Sequence, residues 1–340
     1  MAPALHFWAK DNEAPTGPFD VAFRRLTGVF LEFRLIPVLL WSYTAVTLGT
    51  AIAWHERGVL DWGLYLVTLA IAMLVQGFET HAVNEIYDWR SGTDRKPVPR
   101  VLSGGSKVLN RGLLTIRDLW AIFAVSSVLI WGLTLSLLVT RSWTLIAFVL
   151  PGYFAGLFYT MPPIRTAYRP FVGELAGGFL GVVLCVLGGY YVQTLRLSSI
   201  AVVAAIGYAC VCVAMLLMHH YLDVEADLAA SPPKRTTIAW LGRKAGKVYT
   251  VGYATLAVIS FAVLGAWSPW FLAAIPFALV AFAAHARVRP ADPESVTRNE
   301  LVVIQAGIAT GLAASVALAP ILLAVPLLAV AGYLLHLRLA

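Results

Sequence analysis

Seven of the chain's 18 acidic residues fall in two short windows: Glu79, Glu85, Asp88 and Asp94 in the first, Asp223, Glu225 and Asp227 in the second. Carboxylates grouped with amide oxygens, with no Cys and few His beside them, are hard donors that suit Mg²⁺ rather than a transition metal. Each window is followed by cations, Arg90, Arg95, Lys96 and Arg100 after the first and Lys234 and Arg235 after the second. Magnesium is usually held by few carboxylates together with substrate phosphates, while Arg forks and Lys ammonium groups neutralise the remaining phosphate charge. The alternation of acid and base therefore points to a diphosphate substrate.

Spacing sharpens this. Gln76, Thr80, Asn84 and Asp88 recur every four residues, which on a helix forms one polar face. Gly92 then permits a turn that returns Asp94 toward Asn84 and Asp88. His219, Asp223 and Asp227 repeat the four-residue step in the second window. Ordinary polar anchoring at helix ends would explain the cations, but not two carboxylate-rich helix ends carrying the same spacing.

The elements that position these residues follow from composition. The 340 residues are 59% hydrophobic and 13% charged, about half the charge of a soluble domain. A soluble fold and a disordered chain are both excluded, which leaves an all-α polytopic membrane protein. Apolar runs long enough to cross a bilayer lie near residues 27–54, 62–87, 118–140, 143–160, 171–194, 198–222, 247–266, 269–286 and 300–318. That makes about nine helices. A further stretch, 320–338, is interrupted by Pro320 and Pro326 and reads either as a tenth span or as the broken end of the ninth. Residues 1–26 form a polar N-terminal segment without a secretory signal, and residues 27–340 a single transmembrane domain.

With the N-terminus inside, 21 of the 25 Lys and Arg residues fall on the cytoplasmic side, and only Arg57, Arg141 and Arg196 fall in opposite loops. The net charge of +7 is thus a topology signal. Split among short loops, it makes no nucleic-acid surface. Both acid windows face the cytoplasm in this topology, at the mouth of a central cavity between helices. The residues alone suggest an intramembrane enzyme acting on a lipid diphosphate.

These residues resemble the UbiA superfamily of intramembrane prenyltransferases, whose two Asp-rich motifs end the second and sixth of nine helices. Asn84-Glu85-Ile86-Tyr87-Asp88 with Asp94, the loop Arg100-Val101-Leu102-Ser103-Gly104-Gly105 and the segment Tyr190-Tyr191-Val192-Gln193-Thr194 are similar to the menaquinone-pathway branch, the 1,4-dihydroxy-2-naphthoate prenyltransferase-like proteins. Asp223-Val224-Glu225-Ala226-Asp227, Lys234-Arg235-Thr236 and Tyr159-Thr160-Met161-Pro162-Pro163 resemble signatures of the wider family. Glu85 stands where the family usually has Asp, and His219-His220 where the branch tends to have Asn-Asn.

The resemblance implies Mg²⁺-dependent ionisation of a prenyl diphosphate and transfer of the allylic group to a small aromatic acceptor of the quinone-precursor type, in the cell (inner) membrane. It implies metal binding by Asn84, Asp88, Asp94, Asp223 and Asp227, with Glu85 and Glu225 as weaker candidates. It also implies diphosphate binding by Arg95, Arg100, Lys234 and Arg235, and a Tyr159 that faces the cation or orients the acceptor. His219 reads either as the base that takes the acceptor's proton or as a hydrogen-bond partner of Asp223. Arg34 near Pro37 reads as a mouth residue or an end anchor. Gly173, Gly177 and Gly181 read as packing residues, Cys185, Cys210 and Cys212 as core, and Glu174 as an interfacial cap. The same motifs fit a terpene cyclase that uses no acceptor. A secondary transporter would instead place its carboxylates at the bilayer midplane.

Overall fold

The computed structural model describes residues 18–95 and 105–339, which are helical with no strand. Among them nine helices are long and apolar enough to cross a membrane: α1 Phe19–Arg57, α2 Trp62–Ser91, α3 Ile116–Thr140, α5 Gly173–Thr194, α6 Ser199–His219, α7 Thr237–Trp267, α8 Pro269–Arg287, α9 Pro293–Leu318 and α10 Pro320–Arg338. Between α3 and α5 lies α4, Trp143–Leu157, a shorter apolar helix. The structure sharpens the sequence reading at three points. The expected fourth span, 143–160, stops being helical at Leu157 and continues as turns. The stretch 320–338 is a helix of its own, separated from α9 by a non-helical Ala319 (φ −137°, ψ 81°), with Pro320 in its first turn, where no N–H is needed. At the other end, α1 begins before residue 27, because Phe19, Phe23, Leu26 and Phe30 extend its apolar pattern.

Helices α1 and α6 are mostly buried, whereas α3, α7 and α10 present much of their surface outward. Helix α6 packs against α5 and α7, and α1 against α5 and α9. The α1–α5 crossing is close because both sides lack a side chain. A Cβ on Gly49 would fall 1.9 Å from the Val186 carbonyl oxygen, and one on Gly189 would fall 2.5 Å from that of Val46. Small residues at such crossings let helices associate where no hydrophobic force drives them together.

Two helices that build the cavity are not regular. Helix α1 breaks at Arg34, which is left-handed (φ 48°, ψ 56°), and then makes a π-helical turn at Leu39–Tyr43. A π turn and a proline free backbone groups that hydrocarbon cannot solvate. The side chain of Gln76 meets two of them, accepting from Ser42 N–H at 3.1 Å and donating to the Pro37 carbonyl at 3.2 Å. Tyr208 Oη donates to the Leu40 carbonyl at 2.5 Å. Helix α2 has a matching π-helical turn at Val75–Thr80.

At the end remote from the acid windows, Gln193 closes the fold. Its side chain accepts from Asp61 N–H at 3.0 Å and donates to the Asp61 carbonyl at 2.9 Å. Its own carbonyl accepts from Arg57 and Arg141. Arg196 pairs with Glu56 at 3.4 Å, and Tyr190 Oη donates to Glu56 at 2.5 Å. The Tyr190–Thr194 motif thus seals the bundle and lies outside the acid-window site.

Candidate active site

Helix α2 ends at Ser91, and Gly92 takes the left-handed conformation (φ 91°) that lets the chain reverse. Asp94 N–H then reaches the Asp88 carbonyl at 3.4 Å, and both Asp88 and Asp94 are buried. The second window is not one continuous helix end. Helix α6 stops at His219, the chain turns through Asp223, and a short helix covers Val224–Ala229. Asp227 N–H donates to the Asp223 carbonyl at 2.7 Å, a helical bond, so Asp223 and Asp227 share the first turn of the short helix while His219 reaches the cavity from the end of α6.

Lys234 joins the windows. Its N–H donates to the Asp227 carbonyl at 2.8 Å, while its Nζ lies 2.9 Å from Asp88 Oδ2. Ser231 N–H donates to the Ser91 carbonyl at 2.9 Å, binding the two loops directly. Burial alone would depress the Lys234 ammonium, but the facing Asp88 and Asp227 outweigh it and hold it well above the usual lysine range. Burial, with the charges of Asp88 and Glu85, pushes the Asp94 carboxyl well above its ordinary value. Tyr168 adds a hydroxyl 3.4 Å from Asp88 Oδ1.

A cavity of about 290 Å³ opens at this junction and is lined by Asn84, Asp88, Asp94, Tyr159, His219, Asp223, Asp227 and Lys234. It has a polar mouth and an apolar depth that reaches Val46, Thr68, Phe148 and Gly188. Gln76 and Thr80 also line it, so the four-residue polar face of α2 survives the π-helical turn.

Several expected residues stand elsewhere. Arg95 is exposed, with its Nε donating to the Trp89 carbonyl at 3.0 Å, and Arg235 is exposed on the far side of Lys234. Neither lines the cavity. Arg100 lies outside the described residues. Glu85 does not itself line the cavity and accepts from Ser106 N–H at 2.9 Å, while Ser106 Oγ donates to Glu32 at 2.6 Å. Glu225 turns outward to a bidentate pair with Arg243 at 2.7 Å, which lowers its carboxyl. Glu174 is not a cap: it accepts from Thr237 Oγ1 at 2.5 Å inside the protein. Gly173 and Gly177 do pack, a Cβ at Gly177 falling 2.5 Å from the Tyr159 ring, but one at Gly181 would meet no atom within 4 Å and Gly181 lines the cavity.

The structure also brings in residues the motifs do not contain. Arg34 lines the mouth from the break in α1. Glu300, buried at the cavity wall on α9, lies 2.7 Å from His219 Nδ1, while His219 Nε2 is 3.8 Å from Asp223. Glu300 is the one acid at the head of an otherwise apolar run, and an ionisable group there is itself a signal of function.

The UbiA prenyltransferase family profile matches residues 42–303. The chain belongs to that family. It is 29% identical over 237 residues to the 1,4-dihydroxy-2-naphthoate octaprenyltransferase of Bacillus subtilis, covering 67% of this chain and 72% of that one. Its fold is similar to a UbiA homolog from Archaeoglobus fulgidus bound to GPP and Mg²⁺, with TM-score 0.59 and 17% identity over 84% of this chain and 99% of that one. A UbiA homolog from Aeropyrum pernix gives TM-score 0.57 at 17% identity over 78% and 96%. The protein is an integral membrane prenyltransferase, and membership in an enzyme family sets the transporter alternative aside.

The donor set of this prenyltransferase suits Mg²⁺. Among the described residues, no three His, Cys, Asp or Glu side chains form a cluster that could hold a metal ion, and Mg²⁺ takes part of its coordination from substrate phosphates. The Asn84 Oδ1 atom is buried without a hydrogen-bond partner among those residues. Glu85 Oε2 and Asp94 Oδ2 approach to 2.6 and 2.8 Å of the place a Cβ on Gly105 would occupy, so bare backbone (φ 72°) is what fits beside these carboxylates. The Lys234 ammonium meanwhile supplies positive charge to Asp88.

Proposed function

We propose that this prenyltransferase uses Mg²⁺ to ionise an isoprenoid diphosphate and transfers the prenyl group to an aromatic acceptor, a naphthoate by analogy with the Bacillus subtilis relative. The acid windows would face the cytoplasm from the cell membrane. The observation that carries the reading is Lys234, a buried ammonium at 2.9 Å from Asp88 where both acid windows meet the mouth of an apolar cavity.

Asn84, Asp88, Asp94, Asp223 and Asp227 would hold the metal, whose charge would stabilise the departing diphosphate. Lys234 and Arg34, the cations that line the mouth, bind the diphosphate oxygens and oppose the negative charge as the allylic carbon–oxygen bond breaks. The apolar wall keeps water from the resulting cation. Tyr159, its ring laid over Gly177 beside the mouth, offers an aromatic face to that cation. His219, oriented through Nδ1 by Glu300, takes the proton released when the acceptor carbon bonds to the prenyl carbon.

The test is incubation of purified protein with Mg²⁺ and geranyl, geranylgeranyl or octaprenyl diphosphate, with and without hydroxynaphthoate and hydroxybenzoate acceptors, followed by mass spectrometry. A prenylated aromatic product is expected. A hydrocarbon formed without acceptor would replace transfer by cyclisation, and no consumption of any diphosphate would overturn the reading.

A further inference from the structure

The apolar limb of the cavity contains a glycine that neither packing nor backbone geometry requires. Gly181 lies in the regular helical part of α5, where glycine weakens a helix relative to alanine. Its φ is not positive. Unlike Gly177 one turn earlier, which is held against Tyr159, it has no atom within 4 Å of a would-be Cβ. It faces the cavity. The missing side chain therefore serves only to leave the lumen open.

The lumen continues well past that point. Four residues separate Gly181 from Gly177, about 6 Å of helix axis, and Gly188 lies a further 10 Å or so along. Gly188 also lines the cavity, and there a Cβ would stand 3.6 Å from Phe148 Cβ, an ordinary contact. Across the cavity, Thr68 on α2 lies sixteen residues before Asn84, or about 24 Å from the mouth. An extended isoprene unit, three single bonds of about 1.5 Å and one shorter double bond, advances roughly 4 to 5 Å. The limb from Asn84 to Thr68 therefore accommodates about five units, and a bulky group at Gly181 would leave room for about two.

We infer that Gly181 sets the length of isoprenoid chain the enzyme accepts, as the open gate to the deep half of the cavity, with Gly188 as a second rung further down. This rests on the proposed prenyl diphosphate substrate. A chain of up to about five units fits because neither position carries a side chain, and a side chain at either one shortens the acceptable tail to the segment above it.

The test compares kcat/KM for geranyl, geranylgeranyl and the five-unit geranylfarnesyl diphosphates in membranes or detergent. Gly181→Phe is expected to lower the geranylfarnesyl-to-geranyl ratio of kcat/KM by at least about tenfold, since one misplaced group in an apolar pocket is worth 10-fold or more. Gly188→Phe is expected to spare geranylgeranyl and penalise geranylfarnesyl diphosphate alone. Gly181→Leu gives the same direction if the phenylalanine variant folds poorly. Gly132→Phe is the control: Gly132 is exposed on α3, with nothing within 4 Å of its would-be Cβ and no part in the cavity wall. A uniform loss for all chain lengths, an unchanged ratio in the folded variants, or the same shift from Gly132→Phe would each overturn the inference. If the wild-type protein consumes no prenyl diphosphate at all, the proposed function falls, and this inference with it.

Discussion

Lys234 Nζ lies 2.9 Å from Asp88 Oδ2, and both side chains are almost wholly buried. The pair fastens the loop after α6 to the end of α2 and holds the acid windows at one mouth. Removing one member of such a pair strands a buried charge, which costs about 3 to 5 kcal/mol, whereas replacing both can be nearly neutral. Lys234→Met is therefore expected to lower the thermal midpoint in detergent and abolish turnover. Lys234→Met with Asp88→Asn is expected to recover the midpoint without recovering turnover. Recovery of both would show that the pair has no part in catalysis.

Asp223 belongs to the other window and faces the cavity from the turn after α6. Asp223→Asn keeps the shape and removes the charge, so the fold should persist while charge stabilisation at the mouth is lost. Loss of one such electrostatic group is worth on the order of 100-fold in rate. The variant should elute as the wild type does in size-exclusion chromatography and lose Mg²⁺-dependent turnover by about that factor. Near wild-type activity would remove Asp223 from the metal set.

How far these assignments were legible in the sequence depends on the kind of signal each residue gives. Asp88, Asp94, Asp223, Asp227 and Lys234 stand out because charge is scarce in an apolar chain, and the structure places all five on the cavity wall. Arg95 and Arg235 carry the same signal, yet a one-residue step around a turn points them outward. Composition places a cation near a site but does not say which way it faces. Glu300 escaped because it heads an apolar run and reads as a helix-end anchor until α9 is packed against α6. The π-helical turns at Leu39–Tyr43 and Val75–Thr80 follow from how α1, α2 and α6 exchange hydrogen bonds, which no residue type announces. Gly181 shared the four-residue spacing of two packing glycines, and only the empty space beside it separates the cases.

Asp94 makes the metal requirement depend on pH. Burial first, and then the charges of Asp88 and Glu85, raise its carboxyl well above the ordinary range. The proton is therefore retained to higher pH than on a free aspartate, and a metal ion must displace it. As pH rises the carboxylate forms more readily, so the Mg²⁺ concentration giving half-maximal turnover should fall. Asp94→Asn has no proton to lose and should show weaker Mg²⁺ dependence with a flatter pH response. A half-saturating concentration that stays constant with pH in the wild type would remove Asp94 from the metal set.

His219 sits between two carboxylates of different kinds: Glu300, buried on α9, at 2.7 Å from Nδ1, and Asp223, at the mouth, at 3.8 Å from Nε2. His219→Asn preserves a polar side chain at the end of α6 but cannot take up a proton, and should lose most of the transfer rate. Binding of the prenyl diphosphate with Mg²⁺ should persist, because it needs only the metal set and the cations at the mouth. Glu300→Gln keeps a hydrogen bond to the ring while removing the charge that favours the imidazolium formed in the step, so it should slow transfer in the same direction and to a smaller extent. If His219→Asn leaves the rate of transfer unchanged, the imidazole acts by supporting Asp223, and the proton leaves to water instead.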